Sequence, residues 1–426
     1  MTEVARTQAT ANWLDVATSI ADHLCASAFR HDGECTWMGT IQQGGVDGPA
    51  TFTYETLGPD LYGGASGIAL FLVECYARTG NAVHGDTARD ALHFSAARTH
   101  RIPHRFRHGF YAGRTGVAFA LARAAALLDD AQLASQARGE LDQLARDEQE
   151  VVVLDVISGV AGAIAPLLML ANTLSLPSLR EHAQRLGEHI LRDAIRSDAG
   201  WCWGDEATGF HSQAPLTGYG HGASGLGVAL LELFAVTDDE RFRDGAREAF
   251  RYERSLFSAL NDNWPDLRYS SDASDRGHYG VAWCLGAAGI GLARARALQI
   301  DPGHDDLRTD LAAALRAVDR RIRSTAIERD FSLCHGGGGL GDIALAIAAM
   351  TGAPAASEIA NEIAGRGAAV AGRAPTSWGC GIRRGSNPSL MLGLAGIGHF
   401  YLRLADPTLP SVLIPLGPGN LEPSPL

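Results

Sequence analysis

Nowhere in its 426 residues does the chain hold an uninterrupted apolar run of about 18 residues, so no segment reads as a membrane-spanning helix. The N-terminus, Met1-Thr2-Glu3-Val4-Ala5-Arg6, lacks an apolar signal core, which points to a cytoplasmic address. Cationic residues are in deficit: 36 Lys and Arg against 48 Asp and Glu give a formal charge of −12. That balance argues against nucleic-acid binding and suits a neutral or cationic peptide partner. Cysteine is sparse and odd in number, at positions 25, 35, 75, 202, 284, 334 and 380. Seven widely spaced thiols do not form a disulfide framework; metal ligation or burial is the expected use. Period-two alternation of polar and apolar residues is almost missing, which leaves little room for half-buried strands.

What the chain has in excess is glycine, 50 residues of it, and these cluster. A G-x-x-G pattern opening an apolar run occurs seven times, with first glycines Gly64, Gly113, Gly159, Gly222, Gly286, Gly336 and Gly393. The spacing, roughly 45 to 65 residues, fits two helices and their connections. Between these runs lie segments such as 178–195, 239–257 and 305–324, whose apolar residues recur every three or four positions among Arg, Asp and Glu. Such segments predict helices with one wet face, whereas the glycine-led runs are apolar almost all round.

Alternating buried and half-exposed helices imply two concentric layers. The expected fold is therefore all-α: a double-layered α/α toroid of seven helical-hairpin repeats over residues 1–414, followed by a Pro/Gly-rich tail at 415–426. Closure explains why the inner helices have no polar face. Glycines at the inner N-termini let the loops crowd at one end, where free N–H groups and positive dipole ends converge.

Aligned on the first glycine, the two preceding positions read Tyr62-Gly63, Tyr111-Ala112, Ile157-Ser158, Gly220-His221, Cys284-Leu285, Cys334-His335 and Met391-Leu392. Two cysteines thus hold one slot in adjacent repeats, and two histidines hold the next. Cys284, Cys334 and His335 form a donor set suited to Zn²⁺, with three ligands leaving a fourth position open for chemistry. Cys380 is a conceivable fourth ligand but sits outside the register, and Cys202 in Gly200-Trp201-Cys202-Trp203 reads as packed among aromatics. His221 reads as a general acid/base beside the metal, or as a cap on its own helix. Asp155 lies four residues before Gly159; it either orients His221 or substrate, or favourably faces a helix N-terminus. The polar segment 261–280 leads directly into Cys284 and is expected to border a substrate entrance.

At these residues the chain resembles the lanthionine synthetase C-like family. Residues 220–227 (GHGASGLG), 282–294 (AWCLGAAGIGLAR) and 333–341 (LCHGGGGLG) look like its His, Trp-Cys and Cys-His-Gly signatures. Residues 61–72 and 390–413 are similar to the cyclase domains of class II lanthipeptide synthetases. The resemblance implies an α/α barrel with zinc at one end, and a cyclase that adds a substrate cysteine thiolate to dehydroalanine or dehydrobutyrine in a dehydrated precursor peptide with leader and core. It further implies His221 as proton donor to the resulting enolate and Asp155 as the family's functional Asp. Two departures stand out: Gly280 where stand-alone cyclases often carry Arg, and Leu285 where the fused class usually has His. Arg276 or His278 is a candidate substitute. Separate dehydratase or kinase-lyase enzymes are expected to make the dehydroamino acids. Three rivals remain: a prenyltransferase-like barrel, which the two cysteines in register oppose; an enzyme joining glutathione to dehydroamino acids; and a noncatalytic peptide-binding scaffold.

Overall fold

The computed structural model describes residues 3–43, 51–147, 151–204, 214–268, 278–324, 329–371, 374–381 and 387–416. Seven helices begin at the repeat glycines: α2 (Ala65–Thr79), α4 (Arg114–Leu128), α6 (Val160–Thr173), α8 (Ala223–Thr237), α10 (Ala287–Ile300), α12 (Gly337–Thr351) and α14 (Leu394–Ala405). Between them lie α3 (Ala82–Ala96), α5 (Ala131–Ala145), α7 (Pro177–Arg192), α9 (Glu240–Ser255), α11 (Asp305–Ile322) and α13 (Pro354–Ala371), preceded by α1 (Glu3–Ser27). The two sets start differently. Outer helices α3, α5 and α9 are capped by Asn81, Asp130 and Asp239, whose side chains accept from the first-turn N–H groups. The seven inner helices have glycine N-caps, which bring no capping side chain of their own; their first N–H groups donate mostly to carbonyls of the incoming loop, as Ala65 does to Gly58 O, Arg114 to Arg107 O and Leu394 to Asn387 O.

The second glycine of each pattern has a steric reason. A Cβ on Gly289 would lie 2.1 Å from the Trp283 carbonyl oxygen, and one on Gly339 would lie 1.9 Å from that of Leu333. In each repeat the incoming loop crosses its own helix there, and only hydrogen fits. Gly286 adds a conformational demand, with φ of +67°.

Each inner helix packs on the outer helix that follows it, and the inner helices neighbour one another in sequence order around a ring that α14 closes onto α2. This is the expected double-layered α/α toroid. Six repeats are hairpins in sequence. The seventh is composite, because α14 takes its outer partner from the other end of the chain, α1. That arrangement ties the N-terminus to the last repeat and locks the ring without a covalent link.

A belt of backbone hydrogen bonds joins the seven loops at the residues just before the glycines. Tyr62 N–H donates to Tyr111 O, Ala112 to Ile157, Val156 to Gly220, Gly220 to Cys284, Trp283 to Cys334, Cys334 to Met391, and Met391 back to Tyr62, all at 2.8–3.1 Å. The sequence alignment of slots is therefore a real ring in space, closed by the last bond.

Three features differ from expectation. The inner helices are not purely apolar: Glu74 pairs with Arg123, Glu232 with Arg296, and Asp342 with Arg403, each across neighbouring inner helices and nearly or fully buried. These charges survive burial because both partners are present and hydrogen-bonded. Among the described residues three two-stranded antiparallel pairings also occur, Phe29–His31 with Glu34–Thr36, Met38–Gln43 with Thr51–Thr56, and Ile195–Ser197 with Gly200–Cys202. The first turns through Asp32-Gly33, both with positive φ, a tight-turn signal too short to register as alternation. Finally, the last stretch of the 1–414 span, after α14, takes a course through the toroid that the sequence did not indicate. Tyr111 Oη donates to Val412 O at 2.7 Å and Trp283 Nε1 to Leu413 O at 2.9 Å, so residues 412–413 cross the interior between the second and fifth repeats. Residues 417–426 lie outside the described residues.

Candidate active site at the loop end of the toroid

Cys284 and Cys334 occupy the same slot of adjacent repeats, and their loops are joined by the Trp283–Cys334 backbone bond. Both thiols are buried. Hydrogen bonding between the two sulfurs, reinforced by burial, pushes the Cys284 thiol well up. The same contact pulls the Cys334 thiol down, against the opposing effect of burial. Tyr62, in the identical slot of the first repeat, donates its hydroxyl to the Cys334 sulfur at 3.0 Å, a contact that adds to the lowering. The register of slots held this residue in plain view, yet an aromatic at that position gave no hint of contact with sulfur.

His335 follows Cys334. Its Nε2 donates to the Gly381 carbonyl at 2.6 Å, with Asp330 Oδ2 at 3.4 Å. A carbonyl can only accept, so this bond fixes the tautomer and makes Nδ1 the lone-pair nitrogen, the usual way a ligating imidazole is oriented. Gly381 admits the ring because a Cβ there would lie 2.8 Å from Nε2. Two sulfurs and an imidazole with its outer nitrogen anchored are chemically matched to a thiophilic divalent cation. Among the described residues no three His, Cys, Asp or Glu side chains are drawn tightly enough to enclose an ion as they stand. Cys380 is not part of the group: its thiol faces the carbonyls of Trp378 and Asn387 at 3.8 Å, and burial pushes it up to about 11.

The neighbouring loop brings the second expected pair together. Asp155 Oδ2 accepts from His221 Nδ1 at 2.5 Å, while Asp155 Oδ1 accepts from the N–H groups of Ser158 and Gly159, both at 2.7 Å. One Asp155 oxygen thus serves the α6 N-terminus and the other holds the imidazole. The carboxylate takes Nδ1–H and so fixes which nitrogen of the neutral ring carries the proton. Gly220 links this dyad to the thiols, donating to Cys284 O at 3.0 Å with so little room that a Cβ on it would lie 3.0 Å from Cys284 Cβ. Behind the dyad, buried Glu253 accepts from Gly218 N at 2.6 Å and from Ser224 Oγ, and pairs with buried Arg294 on α10 at 2.9 Å. One ion pair thus fastens the His221 loop to the helix that follows Cys284.

The two sequence departures prove to be one packing event. A Cβ on Gly280 would lie 1.8 Å from Leu285 Cδ1, so the leucine occupies the space a side chain at 280 would need. Of the candidate substitutes, Arg276 lies outside the described residues, and His278 is exposed, with its carbonyl accepting from Asp266 N at 2.8 Å.

Residues 55–414 match the family described as lanthionine synthetase C-like protein. The chain belongs to that family. The lanthionine synthetase C-like chain is 23% identical over 320 residues to a lacticin 481/lactococcin biosynthesis protein of Lactococcus lactis subsp. lactis, covering 72% of this chain and 31% of that protein. It therefore spans about a third of the length of this curated relative. Its structure is similar to nisin cyclase, with TM-score 0.62, 15% identity, and 82% and 89% of the two chains covered. It also resembles an α-1,6-mannanase of Salegentibacter sp. HEL1_6, with TM-score 0.50, 13% identity, and 92% and 98% covered. At such identities these likenesses establish the toroid alone. Among the described residues no helix is long and apolar enough to cross a membrane.

Proposed function

We propose that this chain is a zinc-dependent cyclase that closes lanthionine or methyllanthionine rings in a dehydrated ribosomal precursor peptide. The observation that carries the reading is the meeting, across the Gly220–Cys284 bond, of a sulfur pair suited to a metal with a histidine held by a buried carboxylate. Cys284, Cys334 and His335 would hold the ion, with Tyr62 and the Gly381 carbonyl fixing two of these ligands from behind. Zinc bound there would supply the positive charge that lets a substrate cysteine ionise near neutral pH.

In the addition itself, the substrate sulfur forms a bond to the β-carbon of the dehydroamino acid. The π pair moves onto the carbonyl oxygen as an enolate, and a proton then reaches the α-carbon. No group leaves, and the proton gained at carbon balances the one lost from sulfur. His221 Nε2 delivers that proton, with Asp155 holding the ring and stabilising its charged form. The dehydration that creates the acceptor is a different reaction, supplied by a dehydratase or kinase-lyase.

The test is incubation with a dehydrated, cysteine-containing precursor, scored by loss of alkylatable thiol and by fragmentation, because ring closure leaves the mass unchanged. Wild-type protein should protect substrate thiols, and Cys334→Ala should lose both the metal and ring formation. Purified protein carrying well under one zinc per chain, or a Cys334→Ala variant that still cyclises, would refute the assignment.

A further inference from the structure

The segment that follows α14 ends its run directly beneath the two cysteine loops. Its path is fixed by hydrogen bonds to α12 and α14. Arg403 Nε donates to Leu409 O at 3.0 Å, Ser411 Oγ donates to the Asp342 carboxylate, and Leu413 N donates back to Ser411 Oγ at 3.1 Å. Leu409, Val412, Leu413 and Ile414 are all buried. Carbonyls in such surroundings need donors, and two side chains from the loop end supply them: Tyr111 Oη for Val412 O and Trp283 Nε1 for Leu413 O.

Trp283 immediately precedes Cys284, and it is held on every side. Its N–H donates to Cys334 O at 3.1 Å, which ties the loop of one cysteine to that of the other. Its carbonyl lies flat on α10, so close that a Cβ on Gly289 would come within 2.1 Å of it. Its ring is 0% exposed and meets Tyr111 edge-on with centroids 5.0 Å apart, with Tyr219 at 5.8 Å. The indole N–H, the only polar group on that ring, reaches a carbonyl 130 positions further along the chain. Cys334 and His335 are each steadied by a bond of their own, from Tyr62 and to Gly381 O. Cys284 is steadied at one remove, through Trp283.

We propose that Trp283 is a positioning residue for the Cys284–Cys334 pair and that residues 409–414 are its footing: the Leu413 carbonyl, through the indole, sets where Cys284 stands relative to Cys334. The inference rests on the zinc reading and deepens it, because ligands on two separate loops can share one ion only if something outside the ligand set fixes their spacing. On this account the segment after α14 is part of the active site although it contributes no group to it.

Trp283→Phe tests this by keeping a buried aromatic ring and removing only the N–H. Trp203→Phe is the matched control: that indole is also buried, donates to Ile190 O at 2.9 Å on α7, and belongs to neither cysteine loop. Both variants should lose comparable thermal stability. Zinc affinity, measured by competition with a chromogenic chelator, should weaken about 10- to 100-fold in Trp283→Phe and stay within about twofold of wild type in Trp203→Phe. A second measurement needs neither zinc nor turnover. Phenylarsine oxide bridges two thiols, releasing water, only when both sulfurs reach its arsenic. In metal-free protein its protection of Cys284 and Cys334 from alkylation, read peptide by peptide, should need several-fold more reagent in Trp283→Phe. Unchanged zinc affinity in Trp283→Phe, equal weakening in both variants, or unchanged protection by the arsenical overturns the proposal. Should wild type hold no zinc, the metal reading falls, and the arsenical by itself decides whether the indole sets the spacing of the pair.

Discussion

The protein should be abruptly acid-labile between pH 6.5 and 5, because it buries three neutral histidines. His108 is 4% exposed, with neither ring nitrogen hydrogen-bonded in protein, and burial, His182 and Arg107 bring it down to about 3. His182, its ring centroid 5.2 Å away, is brought to about 4 by burial and Arg185. His399 on α14, 1% exposed, is brought to about 4 by burial, which outweighs the Asp342 carboxylate. In the unfolded chain each titrates near 6.5. As pH drops below that value the unfolded state takes up protons that the folded state refuses until about pH 4, so stability falls with falling pH. At pH 5 the loss is about 2 kcal/mol per histidine, or about 6 kcal/mol for the three, with a limiting slope of about 4 kcal/mol per pH unit. A loss of that size consumes much of an ordinary domain stability of about 5–15 kcal/mol. Ordinary carboxylates titrate near 4 and contribute little in this window. The assay is urea unfolding of chelator-treated protein from pH 7.5 to 5, which removes any contribution from metal release. Replacing His399 with Met should flatten the slope by about a third. Net uptake of fewer than one proton on unfolding at pH 5.5 would show that these rings are not buried in neutral form.

Three further outcomes follow from the same geometry. Glu253→Ala leaves Arg294 buried with reduced compensation and frees the Gly218 N–H; it should cost about 3–5 kcal/mol in urea unfolding and lower kcat by loosening the His221 loop. Gly289→Ala sets a methyl 2.1 Å from the Trp283 carbonyl, so it should destabilise by about 1–3 kcal/mol or more and reduce the zinc retained beside Cys284, measured by metal analysis. His221→Asn should keep the fold and the zinc but slow ring closure about 10²- to 10⁴-fold; unchanged cyclisation would remove it as the proton donor.

Family membership, the all-α class and the count of repeats were legible in the chain because glycine spacing is a local property. Every first glycine is an inner-helix N-cap, and the slot register alone sets Cys284 and Cys334 at matching positions of adjacent repeats. The site pairings were less accessible. That Asp155 holds His221 depends on two residues 66 positions apart meeting across the loop belt. Tyr62 reaches Cys334 over 272 positions. Period and spacing carry no information on such contacts, since they arise only when the ring closes.

By itself, then, the sequence determined that seven glycine-led helices would form an inner layer and which residue types would crowd at its loop end. Tertiary structure alone decided that α1 completes the last repeat, that the 412–413 segment crosses the interior, and that Leu285 excludes a side chain at 280. The reason is physical. A glycine or a helical period constrains its own neighbourhood, whereas closing a toroid sets the distance between loops that share no local sequence, and charge and packing act through those distances.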